Sequence, residues 1–157
     1  PLPDFLLDLI KHYAILFDQT NRKIFEFRIR LHPNELSQNL EYLKIRLGNL
    51  FYSESISITS KLDCCIYDDL NWANHHITFY SSCAIDALIF GVKSAVYGSE
   101  AYKIYQEEIN NKSITYLKQN SLSEIIKWIK TKTDYPKLIH EDLVDIKFPD
   151  PNVINSI

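Results

Sequence analysis

Two short polar clusters in this chain have the composition of a phosphate-binding site. The first is His32-Pro33-Asn34-Glu35 and the second is Ser81-Ser82. The imidazole of His32 can hydrogen-bond a phosphate or donate a proton to a leaving group, because histidine is the residue type that gains and loses a proton near neutral pH. The hydroxyls of Ser81 and Ser82 can point at one phosphate, to which the start of a following helix would add backbone N–H groups and a partial positive charge. The clusters therefore suggest a phosphorylated ligand.

Asp86 lies four residues after Ser82, one helical turn further on. Its carboxylate can accept hydrogen bonds from the hydroxyl groups of a ribose. Each of these residues also has an interpretation without a ligand: Ser81 as a helix N-cap, Asp86 as a solvated helical residue and His32 as the end of a strand. The choice depends on whether the fold brings the two clusters to one place.

Hydrophobic periodicity predicts the elements that position these residues. The predicted helices are 4–17, 34–47, 83–90, 99–109 and 121–132. The predicted strands are 23–31, 50–52, 76–80, 93–97 and 114–117. Residues 53–74 have an ambiguous pattern, in which 63–67 fits either a strand or the start of a helix that ends near residue 74.

Strands that alternate with helices of about 8–14 residues are typical of an α/β fold, a Rossmann-like parallel sheet with helices on both faces. Ligands in such folds bind at the carboxyl ends of the strands. Both polar clusters fall at such ends, which favours the functional interpretation. We predict a Rossmann-like nucleotide-binding domain over 1–133. Residues 134–157, which include three prolines, are predicted to be a wrapping tail of irregular chain or short helix.

Composition excludes several classes of protein. The 157 residues fit one domain, and the net charge of −3 argues against a nucleic-acid binder. An aromatic content of 13% excludes a disordered chain. There is no run of about 18 apolar residues to span a membrane, and adjacent Cys64 and Cys65 do not suggest a disulfide framework. We expect a cytoplasmic protein that at most touches the inner face of the membrane.

Other kinds of site have weaker support. Three glycines are too few and too scattered for a dinucleotide-binding loop or a P-loop. His75 and His76 are adjacent and cannot both face one ion from a regular strand or helix, so no metal is predicted. Arg28 and Arg30 have two interpretations, as groups that attract an anionic donor or acceptor, or as the solvated side of a strand.

The order of these motifs resembles the C-terminal, nucleotide-binding half of GT-B glycosyltransferases. The most similar pattern is that of bacterial sialyltransferases and capsule or lipooligosaccharide transferases with a His-Pro and a Ser-Ser motif. The segments concerned are RLHPNE at 30–35 and ITFYSSCAIDALIFGVKSAVYG at 77–98. The resemblance extends over about residues 23–98.

The resemblance implies roles for individual residues. It implies that the nucleotide phosphate is contacted by the His32-Pro33 motif and by the hydroxyls of Ser81 and Ser82. His32 is also the catalytic candidate. Asp86 stands where the family more often has Glu, and would meet the ribose. The resemblance implies no metal or other cofactor, and its donor substrate is a nucleotide sugar.

The implied function is a bacterial glycosyltransferase that makes surface polysaccharide or lipooligosaccharide, with CMP-sialic acid as the expected donor and a glycan as acceptor. These enzymes take their catalytic base from an acidic pair followed by Gly, and no Asp-Gly or Glu-Gly occurs here. We therefore expect a fragment whose missing N-terminal domain carries the base. Two alternatives stay open: a transferase domain for a CDP-polyol or a UDP-sugar, and a non-catalytic α/β module that binds a partner protein.

Overall fold

The computed structural model describes residues 2–20, 25–32, 36–79, 81–118 and 121–131, in which helices and strands alternate. The α-helices of this part of the chain are α1 (Asp4–Thr20), α2 (Leu36–Leu47), α3 (Ile66–Trp72), α4 (Cys83–Ile89), α5 (Ser99–Ile104), α6 (Gln106–Asn110) and α7 (Leu122–Lys130). The strands are β1 (Phe27–Arg30), β2 (Ile56–Thr59), β3 (His75–Thr78), β4 (Lys93–Tyr97) and β5 (Ile114–Leu117).

These strands form two small parallel sheets. β1 pairs with β2, with Phe27 opposite Ile56 and Arg30 opposite Thr59. β4 is the central strand of the second sheet and pairs in parallel with β3 and β5. The predicted α/β fold of parallel strands with helices on both faces is confirmed. It differs in having two sheets where one was expected, because in the described residues no backbone ladder joins β1 to β3.

Helix α1 joins the two sheets by packing against both. Phe5 and Leu9 contact the core of the three-stranded sheet and α7. Leu7 and Ala14, on a neighbouring strip of the same helix, pack against α2 and the two-stranded sheet. This arrangement follows from the helical spacing of its apolar residues, which gives one broad apolar face.

The opposite face of the sheets is covered by α3 to α6. Successive side chains of a strand point to opposite faces, so Ala95 of β4 faces α1 whereas Val96 packs against Ala84 of α4 and Ala101 of α5. Leu70 of α3 packs against α4 in a smaller cluster. The helices thus form an outer layer on each side of the strands.

Two predictions about the region between β1 and β3 need revision. Leu50–Tyr52 is not a strand, because a 3₁₀ helix runs over Gly48–Tyr52. Gly48 has a φ of +57° and turns the chain at the end of α2, and the Ser53 N–H then donates to the Leu50 carbonyl at 3.0 Å. In the ambiguous region, β2 was not predicted. Of the two interpretations of 63–67, the start of a helix is confirmed, but α3 begins only at Ile66, after a turn at 61–63.

The other predicted helices and strands agree with the observed ones except at their ends. The predicted helix 99–109 is divided at Tyr105 into α5 and α6. The predicted strand 23–31 is shorter, as is 76–80, which ends at Thr78. The predicted tail 134–157 lies outside the described residues, as does the boundary at 133. Among the helices of the described ranges, none is both long and apolar enough for a membrane span.

Candidate functional site

A crevice of about 230 Å³ lies between the carboxyl ends of β1 and β3. One wall is formed by the end of β1 with Leu31 and His32, and the other by the end of β3 with Phe79. The start of α1 and the middle of α2 close it with side chains that include Leu6 and Tyr42. Its lining is largely apolar with a few polar groups, as in most small-molecule sites.

The position of the crevice corresponds to a switch point of the topology. From β1 the chain continues to β2 on one side, and from β3 it continues to β4 and β5 on the other. Such points, at the carboxyl ends of parallel strands, are where open α/β sheets bind ligands. A larger depression of about 720 Å³ beside Ile104 and Asn110 is open to solvent and far from both polar clusters in sequence. The crevice is therefore the better candidate.

His32 lies at the rim of this crevice. The Leu31 N–H donates to the Thr59 carbonyl at 2.8 Å, which continues the β1–β2 ladder one residue beyond the strand. Leu31 is buried as a result, whereas the next side chain, His32, is exposed. The structure thus brings His32 to the predicted sheet edge. Its partner in the motif, Pro33, lies outside the described residues.

Ser81 and Ser82 occupy the turn between β3 and α4, at the same sheet edge. The Ser81 hydroxyl accepts the N–H of Cys83 at 3.3 Å, a local turn contact. The N-cap residue of α4 is Ser82, whose side chain makes no capping hydrogen bond. The Ser82 side chain is exposed. The crevice lining extends along this strand as far as Phe79, two residues before Ser81. The serine turn therefore adjoins the crevice along the chain. The alternative interpretation of Ser81 as the helix N-cap is wrong, because Ser82 occupies that position.

Tyr105 holds this turn in place, a role that the sequence analysis did not predict. Its hydroxyl donates to the Ser81 carbonyl at 2.5 Å. Burial raises the pKa of Tyr105, and the nearby Cys83, Glu108 and Asp86 raise it further, although the bond to Ser81 lowers it. The hydroxyl therefore stays protonated and able to donate. Tyr105 was hidden because periodicity predicts an unbroken helix where it separates α5 from α6.

Asp86 is a half-buried residue of α4. Its carboxylate is close enough to Tyr105 to affect the pKa of the phenol. The structure thus brings Asp86, Tyr105 and Ser81 into one neighbourhood behind the serine turn. His32 stands at the other wall of the crevice.

Arg28 and Arg30 form an ion-pair cluster with Asp69 of α3. The Arg28 Nη1 lies 3.0 Å from Asp69 Oδ1, and the Arg30 Nη1 lies 2.5 Å from Oδ2. Thr59 also donates to Oδ2, at 3.1 Å. Burial would raise the pKa of Asp69, but the hydrogen bonds from Arg30, Cys64, Arg28 and Thr59 lower it below its ordinary value. The interpretation of the two arginines as a solvated strand side is wrong, because helix α3 covers them.

His75 and His76 point to opposite faces of β3, as expected of adjacent strand residues. The His75 ring lies edge-on to Trp128 with centroids 5.2 Å apart. The His76 Nδ1 lies 3.1 Å from the Ser94 hydroxyl, and burial lowers its pKa to about 4. Across the described ranges, no three His, Cys, Asp or Glu side chains are grouped to hold a metal ion. The three cysteines are free thiols.

No family model, no curated protein and no solved structure matches this chain. Its candidate site is therefore characterised by geometry and chemistry alone: a crevice at a switch point, with an imidazole at one wall and an aromatic ring at the other.

Proposed function

We propose that the crevice binds the nucleotide of a nucleotide sugar, and that this chain is the donor-binding part of a bacterial glycosyltransferase. The observation that carries the proposal is the crevice between the carboxyl ends of β1 and β3, with His32 at its rim. The expected donor is CMP-sialic acid, and the expected product is surface polysaccharide or lipooligosaccharide. The enzyme would work in the cytoplasm, with at most peripheral contact to the inner face of the membrane.

The charges around the crevice suit an anionic ligand. Arg30 contributes to its lining. In the ion-pair cluster to which Arg30 belongs, the guanidinium groups of Arg28 and Arg30 face one carboxylate, that of Asp69. These three side chains carry a net charge of about +1, which would attract a phosphate to the end of β1.

His32 would contact that phosphate as it leaves the sugar. A well-placed donor that stabilises a developing charge is typically worth about 3 kcal/mol of activation free energy. The exposed hydroxyl of Ser82 could supply a second donor, and Asp86 could accept from the ribose. The residues so far assigned bind and stabilise the donor, so the base that activates the glycan acceptor would come from an N-terminal domain.

The test is a titration of the protein with CMP, CDP and UDP, followed by amide chemical shifts in NMR. We expect CMP at millimolar concentration to shift amides near residues 32 and 81–86. His32→Ala should weaken binding, whereas His12→Ala, on the exposed side of α1, should not. Preference for CDP or UDP would indicate the CDP-polyol or UDP-sugar alternative. If none of the three nucleotides shifts these amides, the proposal fails.

A second candidate is a non-catalytic module that binds a partner protein. It is favoured by exposed apolar side chains on α3 and α4, where Tyr67 stacks on Phe90 with ring centroids 5.6 Å apart and Ile85 and Ile89 are also exposed. Such a patch often marks an interaction surface. This function predicts no nucleotide response and a cellular partner that cross-links to the wild type but not to Ile89→Glu. A nucleotide response at residue 32 would contradict it.

A further inference from the structure

Phe79 presents an exposed aromatic ring to the crevice. It follows β3 directly, lines the crevice and is 38% exposed. The ring is held in position from behind: its centroid lies 5.5 Å from that of Tyr97. The exposed part of this apolar ring faces a concave site, where it can contact a ligand.

Gly98 makes room for this ring. A Cβ atom built at position 98 would lie 2.2 Å from Phe79 Cε2 and 2.8 Å from Cδ2, so the ring occupies the space that any side chain would need. The φ of Gly98 is also +88°, a conformation that L side chains rarely adopt. The absence of a side chain at 98 therefore keeps the Phe79 ring folded over the end of β4, beside the crevice.

Two further aromatic rings line the crevice, those of Tyr42 and Tyr97, and both are less exposed than Phe79. The Tyr42 hydroxyl donates to the Leu2 carbonyl at 3.0 Å and accepts from Arg46 at 2.9 Å, which ties α2 to the start of α1. The Tyr97 ring packs edge-on against Phe5 of the core, with centroids 5.3 Å apart. Phe79 is the most exposed of these three rings.

We propose that Phe79 is the platform on which the planar base of the bound nucleotide stacks. This inference rests on the proposed function and adds to it the ligand class that the β3 wall selects: a nucleobase or another flat heteroaromatic ring. The phosphate would lie toward His32, across the crevice. Stacking on an aromatic side chain is tolerant of base identity, because every base has a π-face. Phe79 would thus favour nucleotides over sugar phosphates.

The experiment compares the affinities of CMP and ribose 5-phosphate, which lacks the base, for four proteins. These are the wild type, Phe79→Ala, Phe79→Tyr and the control Phe90→Ala. The control removes a ring of similar exposure (41%) that stacks on Tyr67 and does not line the crevice. We expect Phe79→Ala to weaken CMP about tenfold and to leave ribose 5-phosphate unchanged. Phe79→Tyr and Phe90→Ala should bind both ligands like the wild type.

The outcomes separate this inference from the proposed function. If the wild type binds CMP but Phe79→Ala binds it equally well, or loses both ligands to the same extent, the stacking role is wrong and the nucleotide site stands. If the wild type does not bind CMP, the proposed function fails and the stacking role fails with it. If Phe79→Ala does not fold, Phe79→Leu, which keeps most of the volume without a π-face, gives the same comparison.

Discussion

The two sheets of this domain are covered in different ways. In the three-stranded sheet the first four residues of β4 are fully buried, with Ala95 facing α1 and Val96 facing α4 and α5. In the two-stranded sheet β1 is only half-buried along its length. Its outer face meets α3 through the ion pairs of Arg28 and Arg30 with one carboxylate.

This difference shows which wall of the crevice depends on charges and which depends on apolar packing. Parallel strands are usually apolar on both faces, since helices cover both. β4 follows that rule at Ala95 and Val96, although it begins with the buried polar residues Lys93 and Ser94. β1, which carries His32 at its end, has ion-paired arginines on one face. The wall of the crevice that would meet a phosphate is thus supported by charges, and the wall that would meet a base is supported by apolar packing. A substitution in the ion pairs behind β1 and a substitution in the packing around the three-stranded sheet should therefore have different effects.

The largest effect is expected from Asp69→Asn, which breaks the support of β1. The change keeps the shape of the side chain but leaves two covered guanidinium groups without a countercharge. Removing one partner of a buried ion pair typically costs 3–5 kcal/mol, and the partial exposure of the two arginines places this variant near the lower end, at about 3 kcal/mol. Chemical denaturation measures the free energy of unfolding.

The control for this variant is Asp8→Asn, which removes the same charge from an exposed position of α1. It should change the free energy of unfolding by less than about 0.5 kcal/mol. Equal effects of Asp69→Asn and Asp8→Asn would show that the ion pairs do not stabilise the two-stranded sheet.

A smaller effect, and a sharper distinction between the sheets, is expected from pH. Burial lowers the pKa of His76 on β3 from 6.5 to about 4. The unfolded chain therefore binds a proton that the folded chain excludes, and stability falls as pH drops below 6.5, until the folded value near 4 is reached. Between pH 7 and pH 5 the loss should be about 2 kcal/mol. His76→Gln should remove it in denaturation curves recorded across that range.

Two comparisons sharpen this prediction. His75 is more exposed, and its pKa is lowered by burial and by Lys93, so His75→Gln should remove a smaller part of the slope. Asp69 has a pKa lowered from 3.8, so its contribution is present above 3.8 and is lost only as pH falls through the still lower folded value. A wild-type stability that is flat between pH 6.5 and 5 would contradict the assignment to His76.

The smallest effect concerns the hydrogen bond that joins the serine turn to Tyr105, between α5 and α6. Tyr105→Phe keeps the ring in its core position but removes the hydroxyl that donates to the Ser81 carbonyl. We expect a loss of about 1 kcal/mol in the free energy of unfolding, the usual net value of one hydrogen bond. Faster amide exchange at residues 83–85 should accompany it. Tyr116→Phe, on β5, is the matched control, and an identical exchange pattern in both variants would refute the role of Tyr105.

The class of fold was accessible from the sequence because helical and strand periodicities alternate cleanly in most of the chain. Strands β4 and β5 were predicted with their observed bounds, since apolar runs between turn residues leave little choice. β2 was missed because Ile56 and Ile58 alternate with Ser57 and Thr59 over only four residues. The division into two sheets depends on side chains that meet across the crevice, and such long-range contacts leave no local pattern.

The candidate site was predictable in its location but not in its support. The alternating pattern of β1 predicts that His32 lies at the carboxyl end of that strand, where it lines the crevice. The rule that ligands bind at strand ends makes this place a candidate site. The ion pairs of Arg28 and Arg30 could not be found this way, because their partner Asp69 lies about 40 residues further along. Phe79 was equally hidden, since its exposure depends on Gly98 at the end of a different strand.

Lys93 has a consequence for the order in which the domain is completed during synthesis. Its buried ammonium donates to the carbonyls of Trp128 and Thr131 at the end of α7, which lie 35 and 38 residues later in the chain. A ribosome delivers the lysine well before these acceptors. The amino end of β4 in the three-stranded sheet must therefore stay hydrated until α7 is synthesised. The carbonyl groups of α7 and of Thr131 then replace that water. Helix α7 thus covers this edge, and a nascent chain that stops before Trp128 would expose a charged and hydrated sheet edge to chaperones.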